Sequence, residues 1–283
     1  MPGRTPPIDR ILLLALAEDL PSGDVTTAAV VTGEPLARGA FVARAPSVLA
    51  GTGAASRVFE LVDPEVRVRF ARADGDRLAA GERFGEVSGP AASLLGGERT
   101  ALNLLQRLCG VATLTRAFVD AVAGTGARIV DTRKTTPGLR ALEKAAVRAG
   151  GGRSHRSSLS DGILIKTNHV RLAGSVAEAV RRARLAAPHT LRVEVEVRDP
   201  GELEEALAAG AEACLLDNMT VAGLRECVRL AGGRCLLEAS GGIRLDNVRA
   251  VAETGVGMIS VGALTHSAPA ADLALEIDKD PGP

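Results

Sequence analysis

The chain has 283 residues, 46% of them hydrophobic, so it is long enough to bury a sizeable core as one barrel or as two ordinary domains. Its 34 lysines and arginines balance its 34 aspartates and glutamates, and no basic block stands out. This balance excludes the electrostatic footprint that nucleic acid or an anionic membrane surface requires, so neither is an expected partner. Only four cations are lysines, which makes each lysine informative: Lys134, Lys144, Lys166 and Lys279.

The first hundred residues have the pattern of a small α+β unit. Ile8, Ile11, Leu12 and Ala15 fall on one helical face, and short strand-like runs such as GAFVARAPSVLAG and EVRVRFARADGDRL follow between turn signals. The segment GGERTALNLLQRLCGVATLTRAFVDAV then has helical periodicity. The C-terminal tail DLALEIDKDPGP starts like a helix and ends in a Pro-Gly segment that we expect to fray.

The compartment is indicated by the cysteines and by the apolar runs. The run ILLLALA faintly resembles a signal peptide, but it is short and Asp9 lies in its flank, so an N-terminal helix ending near Pro21 is expected instead. No apolar stretch is long enough to span a bilayer. The four cysteines lack the close paired spacing of a zinc site and are expected to be reduced core thiols. These patterns predict a cytoplasmic protein.

Between residues 127 and 264 the chain repeats one device: a short apolar run rich in β-branched residues, then polar residues, then a helical pattern. The runs are ARIVDTRKT, GILIKTNH, LRVEVEV, ACLLDNM, CLLEASGG and MISVGAL. Their centres lie about 20 to 35 residues apart, the length of a βα unit. Because βα repeats build parallel sheets, we predict an α/β fold with an incomplete parallel barrel of six strands; an open doubly wound sheet is the alternative.

Charged and polar residues follow the predicted strands, at the end where barrels build their sites. The residues in this position are Arg133, Lys134, Lys166, Asn168, His169, Glu194, Glu196, Asp217, Asn218, Glu238, Ser240 and Gly262. The cations suit a small poly-anion, because an arginine fork binds a carboxylate through two hydrogen bonds. The acids suit magnesium or a developing positive charge.

Glu194 and Glu196 alternate with valines in LRVEVEV, so both carboxylates point to the same side of the strand. If that side is the barrel interior, the carboxylates need lysine, arginine, hydrogen-bond donors or a metal as partners. The alternative is an edge strand with a solvated acidic face.

Two further features favour anion binding. His155 lies in the glycine-rich loop GGGRSHRSS beside Arg156, which favours an anion-binding loop over a solvated one. The turns Ser240-Gly241-Gly242 and Gly262-Ala263 follow the last two strands, and small residues there let backbone N–H groups approach a phosphate. Ordinary helix-entry turns are the alternative for these glycines.

Several long motifs resemble one known family. ERTALNLLQRLCGVATLT, DTRKTTPGLRALEKAAVRAGGGRSHR, LIKTNHV, VEVEV, LLDN, LEASGGI and ISVGALTHS resemble quinolinate phosphoribosyltransferase, or nicotinate-nucleotide pyrophosphorylase (carboxylating), in order and over nearly the whole chain. This resemblance implies that quinolinate and phosphoribosyl pyrophosphate give nicotinate mononucleotide, pyrophosphate and carbon dioxide, with magnesium required. It also implies an N-terminal α/β sandwich domain over residues 1–108, joined by residues 269–283, and a catalytic α/β barrel over residues 109–268.

The resemblance also implies residue roles. The residues implied to bind the quinolinate carboxylates are Arg133, Lys134, His155, Arg156 and Lys166, joined by Arg99 from a partner subunit. The residues implied to bind phosphoribosyl pyrophosphate are Lys166, Glu196, Asp217, Ser240, Gly241, Gly262 and Ala263. Of these, Glu196 and Asp217 are the implied magnesium ligands. Lys134, Glu196 and Asp217 are the implied catalytic residues, and the implied assembly is a homodimer or a hexamer built from dimers.

The implied chemistry agrees with the charges of the strand ends. Acids stabilise an oxocarbenium-like ribose carbon, while the ring nitrogen of quinolinate is itself the nucleophile, so no general base is obviously required. Lys134 is the candidate for steering the carboxylate that is lost.

The chain departs from the family pattern at two positions, and two alternatives stay open. Ser154 stands where the family commonly has Asn, and Thr167 stands where it has an acid, which removes a carboxylate near the site. The first alternative is the ModD-type protein of molybdenum-transport operons, which shares the fold; the second is a non-catalytic barrel that binds a phosphorylated metabolite. The intact DTRKT and GGGRSHR segments favour the quinolinate enzyme, since both sets of cations suit a dicarboxylate.

Overall fold

The computed structural model describes residues 7–279. The chain divides into two compact units, the first comprising Met1–Leu114, Thr136–Gly151 and Ala268–Pro283, and the second comprising Thr115–Thr135 and Gly152–Ser267. Residues 1–6 and 280–283, which include the Pro-Gly end expected to fray and both ends of the predicted sandwich domain, lie outside the described residues.

The first unit is a sheet with helices. Numbered along the whole chain, its helices are α1 (Pro7–Asp19), α2 (Val25–Val30), α3 (Thr52–Val62), α4 (Ala91–Ala121, which runs into the second unit from Thr115) and α5 (Arg140–Ala149). Its strands are β1 (Leu36–Ala43), β2 (Ser47–Val48), β3 (Arg67–Phe70), β4 (Arg77–Leu78), β5 (Arg83–Pro90) and β12 (Leu273–Lys279). Strands β12, β1, β5 and β3 form an antiparallel sheet in that order, and β2 pairs with β4.

Periodicity places the core of this unit. The phenylalanines Phe41, Phe59 and Phe84 are fully buried in one cluster with Leu12 of α1. The helical face predicted for α1 is confirmed, because Leu12 is buried while Leu14 on the opposite side is 72% exposed. Burial of these apolar side chains is what holds α1 to the sheet unit.

The helical start predicted for the C-terminal tail is wrong. Residues 273–279 form β12, which pairs antiparallel with β1. Leu273 and Leu275 are buried while Ala274 and Glu276 are only partly covered, so burial alternates with the period of a strand. The short run DLALEI is compatible with both periods, and pairing with β1 decides between them.

The second unit is a parallel sheet with helices. Its strands are β6 (Arg128–Val130), β7 (Ile163–Ile165), β8 (Val193–Val197), β9 (Ala213–Asp217), β10 (Leu236–Ser240) and β11 (Met258–Ser260). Its helices are α6 (Thr167–Ala173), α7 (Val176–Ala186), α8 (Pro200–Ala208), α9 (Val221–Ala231), α10 (Val248–Ala252) and α11 (Ala263–His266). Ser175, Asp199 and Thr220 each accept a backbone N–H at the start of α7, α8 and α9, which fixes where these helices begin.

The strand order confirms an incomplete barrel. The six strands are parallel and lie in the order β6-β11-β10-β9-β8-β7, so each strand from β7 to β11 lies beside the next one in sequence. A doubly wound sheet reverses direction at a switch point, and this order does not, so that alternative is wrong. The first strand pairs with the last, while no pairing joins β6 to β7 among the described residues. The barrel is therefore open between these two strands.

Strand register places the acids in the barrel interior. Glu196, Leu215 and Glu238 are in register across β8, β9 and β10, and residues in register on neighbouring strands share a face. Asp217 and Ser240 form the next layer toward the carboxyl ends of the strands. Since β8 lies between β7 and β9, the alternative of an edge strand with a solvated acidic face is wrong.

The cysteines are mostly in the core, as predicted. Cys109, Cys214 and Cys227 are buried, and Cys235 is partly buried. Burial raises the pKa of the Cys109 thiol to about 12, so this group stays protonated at neutral pH. Of the helices described, none combines the length and the apolar character needed to cross a membrane.

Candidate active site

A cavity of about 820 Å³ lies in the second unit, at the carboxyl ends of its strands. The predicted site residues that line it are Arg133, Lys134, His155, Arg156, Lys166, Glu196, Asp217, Ser240, Gly241, Gly262 and Ala263. Six parallel strands deliver these side chains to one end of the barrel, which is where such folds place their sites. The structure thus brings together the residues that the sequence placed at separate strand ends.

Two arginines form a cationic wall of this cavity. Burial, followed by the charge of the neighbouring Arg133, lowers the pKa of Arg156, against the opposing charge of Glu194. The Nε of Arg133 is buried and donates to no described residue, and Arg156 Nη1 donates to the Gly162 carbonyl at 3.0 Å. Two guanidinium groups that repel each other, one with a buried unused donor, suit a small anion with more than one negative group.

His155 is held by its backbone and by its ring. Its N–H donates to the carboxylate of buried Asp131 at 2.8 Å, and its Nδ1 accepts the N–H of Arg156 at 2.7 Å. Because Nδ1 is an acceptor, the neutral ring carries its proton on Nε2, an assignment made from the hydrogen bonds. Nε2 lies 3.2 Å from Glu194 Oε2 and 3.6 Å from Glu238 Oε2, so the ring donor of His155 faces two carboxylates of the barrel.

These three residues also have the spacing of a metal site. One ligand atom from each of His155, Glu194 and Glu238 lies within 4.8 Å of the others. A metal on Nε2 would require the proton to move to Nδ1, where it would oppose the N–H of Arg156. The hydrogen bonds therefore favour a carboxylate–histidine cluster over a metal centre.

Glu196 is held by the start of α6. Its Oε2 accepts from Lys166 Nζ at 2.7 Å, and its Oε1 accepts from both the hydroxyl and the N–H of Thr167, at 2.6 and 3.2 Å. Burial acts to raise the pKa of Glu196, but the hydrogen bonds of Lys166 and Thr167 and the charge of Lys166 outweigh it, and the pKa is lowered. Thr167, where the family commonly has an acid, thus orients a carboxylate in this chain.

Asp217 and the turn after β10 form the third part of the cavity. Asn218 donates to Asp217 Oδ2 at 2.9 Å and lies in the left-handed region with φ +53°. Gly241 has φ +87°, and a Cβ on it would lie 2.3 Å from Asn218 Oδ1, so glycine is required there by conformation and by space. Close approach of bare backbone to the cavity is what a phosphate turn needs.

Lys134 lies on a loop that is held by helix α11, which follows the last strand of the barrel. Its carbonyl accepts from the Thr265 hydroxyl at 2.8 Å, and its N–H donates to Thr132 Oγ1 at 3.1 Å. A Cβ on Gly262 would lie 3.1 Å from Lys134 Cδ, so the glycine leaves room for the lysine stem. The lysine side chain is exposed in the cavity.

Arg99 is not among the residues that line this cavity. It is an exposed residue of α4, in the first unit. Its role in the site of a partner subunit stays a prediction.

The sequence does not reveal what two buried acids, Asp131 and Glu238, do in the folded barrel. Asp131, fully buried, anchors the His155 backbone from 24 positions away, and the only sequence signal is its place at the start of DTRK. The sequence places Glu238 at a strand end but indicates no role for it, whereas in the structure it is 1% exposed and lines the cavity. Burial, and then the charge of Glu194, raise the pKa of Glu238 to about 7.

The fold and the cavity together define a class: a parallel α/β-barrel protein in which arginines and lysines face carboxylates across one cavity. The family described as quinolinate phosphoribosyl transferase, N-terminal domain, matches residues 24–109, and the corresponding C-terminal domain matches residues 111–276. The chain therefore belongs to the quinolinate phosphoribosyltransferase family.

Individual relatives agree over nearly the full length. A nicotinate-nucleotide pyrophosphorylase [carboxylating] of Mycobacterium leprae is 46% identical over 269 residues, which cover 93% of this chain and 94% of the relative. A probable enzyme of the same name from Bacillus subtilis is 45% identical over 260 residues, 92% of this chain and 90% of the relative. The solved nicotinate-nucleotide pyrophosphorylase of Francisella tularensis superposes with a TM-score of 0.92 at 37% identity, over 97% of this chain and 98% of that one.

Proposed function

We propose that the cavity of the second unit transfers a phosphoribosyl group from phosphoribosyl pyrophosphate to quinolinate and releases carbon dioxide, giving nicotinate mononucleotide and pyrophosphate. The proposal rests on the two guanidinium groups of Arg133 and Arg156, which repel each other. The Nε–H of Arg133 is buried and has no hydrogen-bond acceptor among the described residues. A pyridine dicarboxylate supplies two negative groups at a fixed separation. Lys134 and Lys166 add two point charges to the same wall.

The acids on the other side suit the ribosyl centre. As the C–O bond to pyrophosphate lengthens, positive charge develops on the ribose carbon, and the carboxylates of Glu196 and Asp217 stabilise it. The lowered pKa of Glu196 keeps its negative charge at neutral pH. The ring nitrogen of quinolinate attacks, Lys134 steers the 2-carboxylate, and the turns at Ser240-Gly241 and Gly262-Ala263 hold the 5′-phosphate.

Magnesium is part of this proposal, and the donor set fits it. Carboxylate oxygens are hard ligands, and magnesium commonly takes one or two of them together with substrate phosphates and water. Both oxygens of Glu196 already accept hydrogen bonds, so Asp217 would be the direct ligand, and Glu196 would join only if Lys166 moved away. Bound magnesium would neutralise charge on the leaving pyrophosphate.

The proposal includes assembly and location. We infer a homodimer, or a hexamer built from dimers, in which Arg99 reaches the site of the partner subunit, because an exposed arginine with no role in its own cavity is available for one elsewhere. We also infer a cytoplasmic enzyme, supported by four cysteines that form no disulfide in the described structure.

Neither alternative function is favoured by the comparisons. The matching domains and relatives carry the name of the quinolinate enzyme. A sensor of a phosphorylated metabolite would need the glycine turns, but it would not need the pairing of Lys166 with Glu196.

The test is a product assay with quinolinate, phosphoribosyl pyrophosphate and magnesium. We expect nicotinate mononucleotide from the wild-type protein, and a loss of turnover of about a hundredfold or more in Lys134→Ala and in Glu196→Ala, since both side chains face the reacting groups. Glu204→Ala on the exposed side of α8 is the control and should turn over normally. Absence of product from the wild type, or normal rates in both cavity variants, would contradict the proposed function. Replacing quinolinate by nicotinate tests the need for the second carboxylate.

A further inference from the structure

The proposed reaction needs a proton that none of the roles assigned so far supplies. When the bond between ring carbon C2 and its carboxylate breaks, carbon dioxide leaves and the electron pair stays on C2. That carbon must then take up one proton to give nicotinate mononucleotide. The inference below rests on the proposed function and names the source of that proton.

Glu238 is placed to hold a proton next to the cationic wall. It points into the barrel interior in register with Glu196 and Leu215, and it lines the cavity although only 1% of it is exposed. Its Oε2 lies 3.6 Å from Nε2 of His155, a contact between charges that is too long for a hydrogen bond, and its Oε1 is buried. Because His155 pairs with Glu194 at 3.2 Å, the Glu238 carboxyl can carry a proton without breaking a hydrogen bond to His155.

The charges around Glu238 favour its neutral form. Burial and the carboxylate of Glu194 on β8 raise its pKa to about 7, against the opposing effects of His155, of the Ser260 hydroxyl and of Lys166 at the end of β7. The other interior carboxylate of that layer, Glu196, has a lowered pKa and stays ionised. A buried carboxyl that is still partly protonated at neutral pH is suited to general acid catalysis.

We propose that Glu238 is the catalytic acid of the decarboxylation and delivers its carboxyl proton to C2 of the ring. In this step the C2–carboxylate bond breaks, carbon dioxide leaves, and the electron pair left on C2 takes the proton. The C2–H bond forms as the O–H bond of the Glu238 carboxyl breaks, and Glu238 becomes a carboxylate next to the ring of His155. One proton from water restores the acid before the next turnover.

A second cavity gives water a route to this acid. It has a volume of about 370 Å³ and is lined by the first residues of several strands, among them Ile163, Ala213, Leu236 and Met258. It therefore lies at the amino ends of the strands, opposite the substrate cavity. Glu238 lines both cavities, as do His155 and Arg156, so water in the second cavity can replace the proton from the amino ends of the strands.

The test is a single-turnover experiment with Glu238→Gln, which keeps the size of the side chain but has no acid proton. Enzyme in excess is mixed with phosphoribosyl pyrophosphate, quinolinate and magnesium, and pyrophosphate and nicotinate mononucleotide are measured separately. We expect pyrophosphate release within about threefold of wild type, because C–N bond formation comes first, and product formation slower by about a hundredfold or more. A structural defect would slow both equally.

The pH dependence gives a second readout. An acid acts only when protonated, so product formation by the wild type should fall as the pH rises through the pKa of Glu238, near 7, while pyrophosphate release does not. Glu238→Asp keeps an acid and should keep this limb at a reduced rate, whereas Glu238→Gln should lose it. Glu194→Gln should shift the limb to lower pH, because the Glu194 charge raises the pKa of Glu238.

These outcomes separate the two proposals. A wild-type protein that makes no nicotinate mononucleotide overturns the proposed function and this inference with it. If the wild type is active but Glu238→Gln forms product at the normal rate, loses both products equally, or keeps the alkaline limb, only the role of Glu238 is overturned. Thermal unfolding of the three variants checks the fold, and the wild-type pH profile tests the role even if a variant fails to fold.

Discussion

The surroundings of Arg133 and Arg156 indicate the kind of ligand that these two residues suit. Each guanidinium is partly buried, and burial, followed by the charge of Arg133, lowers the pKa of Arg156. Such an arrangement is unfavourable in the empty protein and becomes favourable when an anion lies between the two groups. The geometry of the fork decides how well the anion is held, because a planar guanidinium matches a carboxylate with two hydrogen bonds and an ammonium does not.

Arg133→Lys should therefore impair quinolinate use even though the charge is kept. Loss of a charge-assisted hydrogen bond costs about 1.5 to 3 kcal/mol, so we expect kcat/KM for quinolinate to fall about tenfold to a hundredfold. The KM for phosphoribosyl pyrophosphate should change little. Steady-state kinetics with each substrate varied in turn gives the comparison.

The matched control is Arg198→Lys, since Arg198 is an exposed residue of the same unit that pairs with Glu202. It should retain wild-type kinetics. A normal kcat/KM for quinolinate in Arg133→Lys would mean that Arg133 supplies charge alone.

At the residue scale, the sequence predicts which side chains reach the cavity better than what each one does there. Arg133, Lys166 and Asp217 are placed correctly because each follows an apolar run whose end is visible in the sequence. The hydrogen bond from the His155 N–H to Asp131 joins residues 24 positions apart. The raised pKa of Glu238 depends on burial and on the charge of Glu194. Neither property is written in a local pattern, because both arise from contacts made only in the folded barrel.

At the scale of elements, strands and helices were predictable where one period dominates. The six parallel strands follow from β-branched runs with polar ends, and three helices of the barrel begin at side chains that cap them. The tail strand β12 was not predictable in the same way, because a run as short as DLALEI is also compatible with a helical period. Its partner β1 lies more than two hundred residues earlier in the chain.

The turn after β10 offers a test at this scale. Gly241→Ala places a Cβ 2.3 Å from Asn218 Oδ1 at φ +87°, so the turn must move. Because this turn is proposed to hold the 5′-phosphate, we expect the KM for phosphoribosyl pyrophosphate to rise about tenfold or more. The KM is measured with quinolinate saturating.

Gly242→Ala is the comparison that isolates the clash. Gly242 also has a positive φ, +63°, but a Cβ there meets no atom within 4 Å. It carries only the backbone cost of about 1 kcal/mol, so its effect on the KM should be clearly smaller. Equal effects of the two substitutions would show that backbone strain, and not the contact with Asn218, governs the turn.

At the scale of the whole molecule, the proposed dimer makes a prediction about mixed subunits. Arg99→Ala and Lys134→Ala should each be inactive alone. If Arg99 acts in the partner's site, a mixed dimer of the two variants contains one site with both defects and one intact site. Equal co-expression should then restore about a quarter of wild-type activity, because half of the dimers are mixed and each has one working site.

Tagging the two variants differently allows the mixed dimers to be purified and assayed. Their activity should approach half of the wild-type value per dimer, since one site in two is intact. A mixed dimer as inactive as its parents would place Arg99 in its own subunit's chemistry or outside the site. Size measurement of the same preparations distinguishes a dimer from a hexamer.

Strand β8 has a consequence for how this protein tolerates change. Its valines Val193, Val195 and Val197 are buried on the face that packs against α7 and α8, while Glu194 and Glu196 face the barrel interior. Five consecutive residues thus face in turn the helices that cover the barrel and the proposed site. Conservative changes at the odd-numbered positions act on folding, and changes at the even-numbered positions act on turnover, so the two properties can be adjusted independently within a single strand.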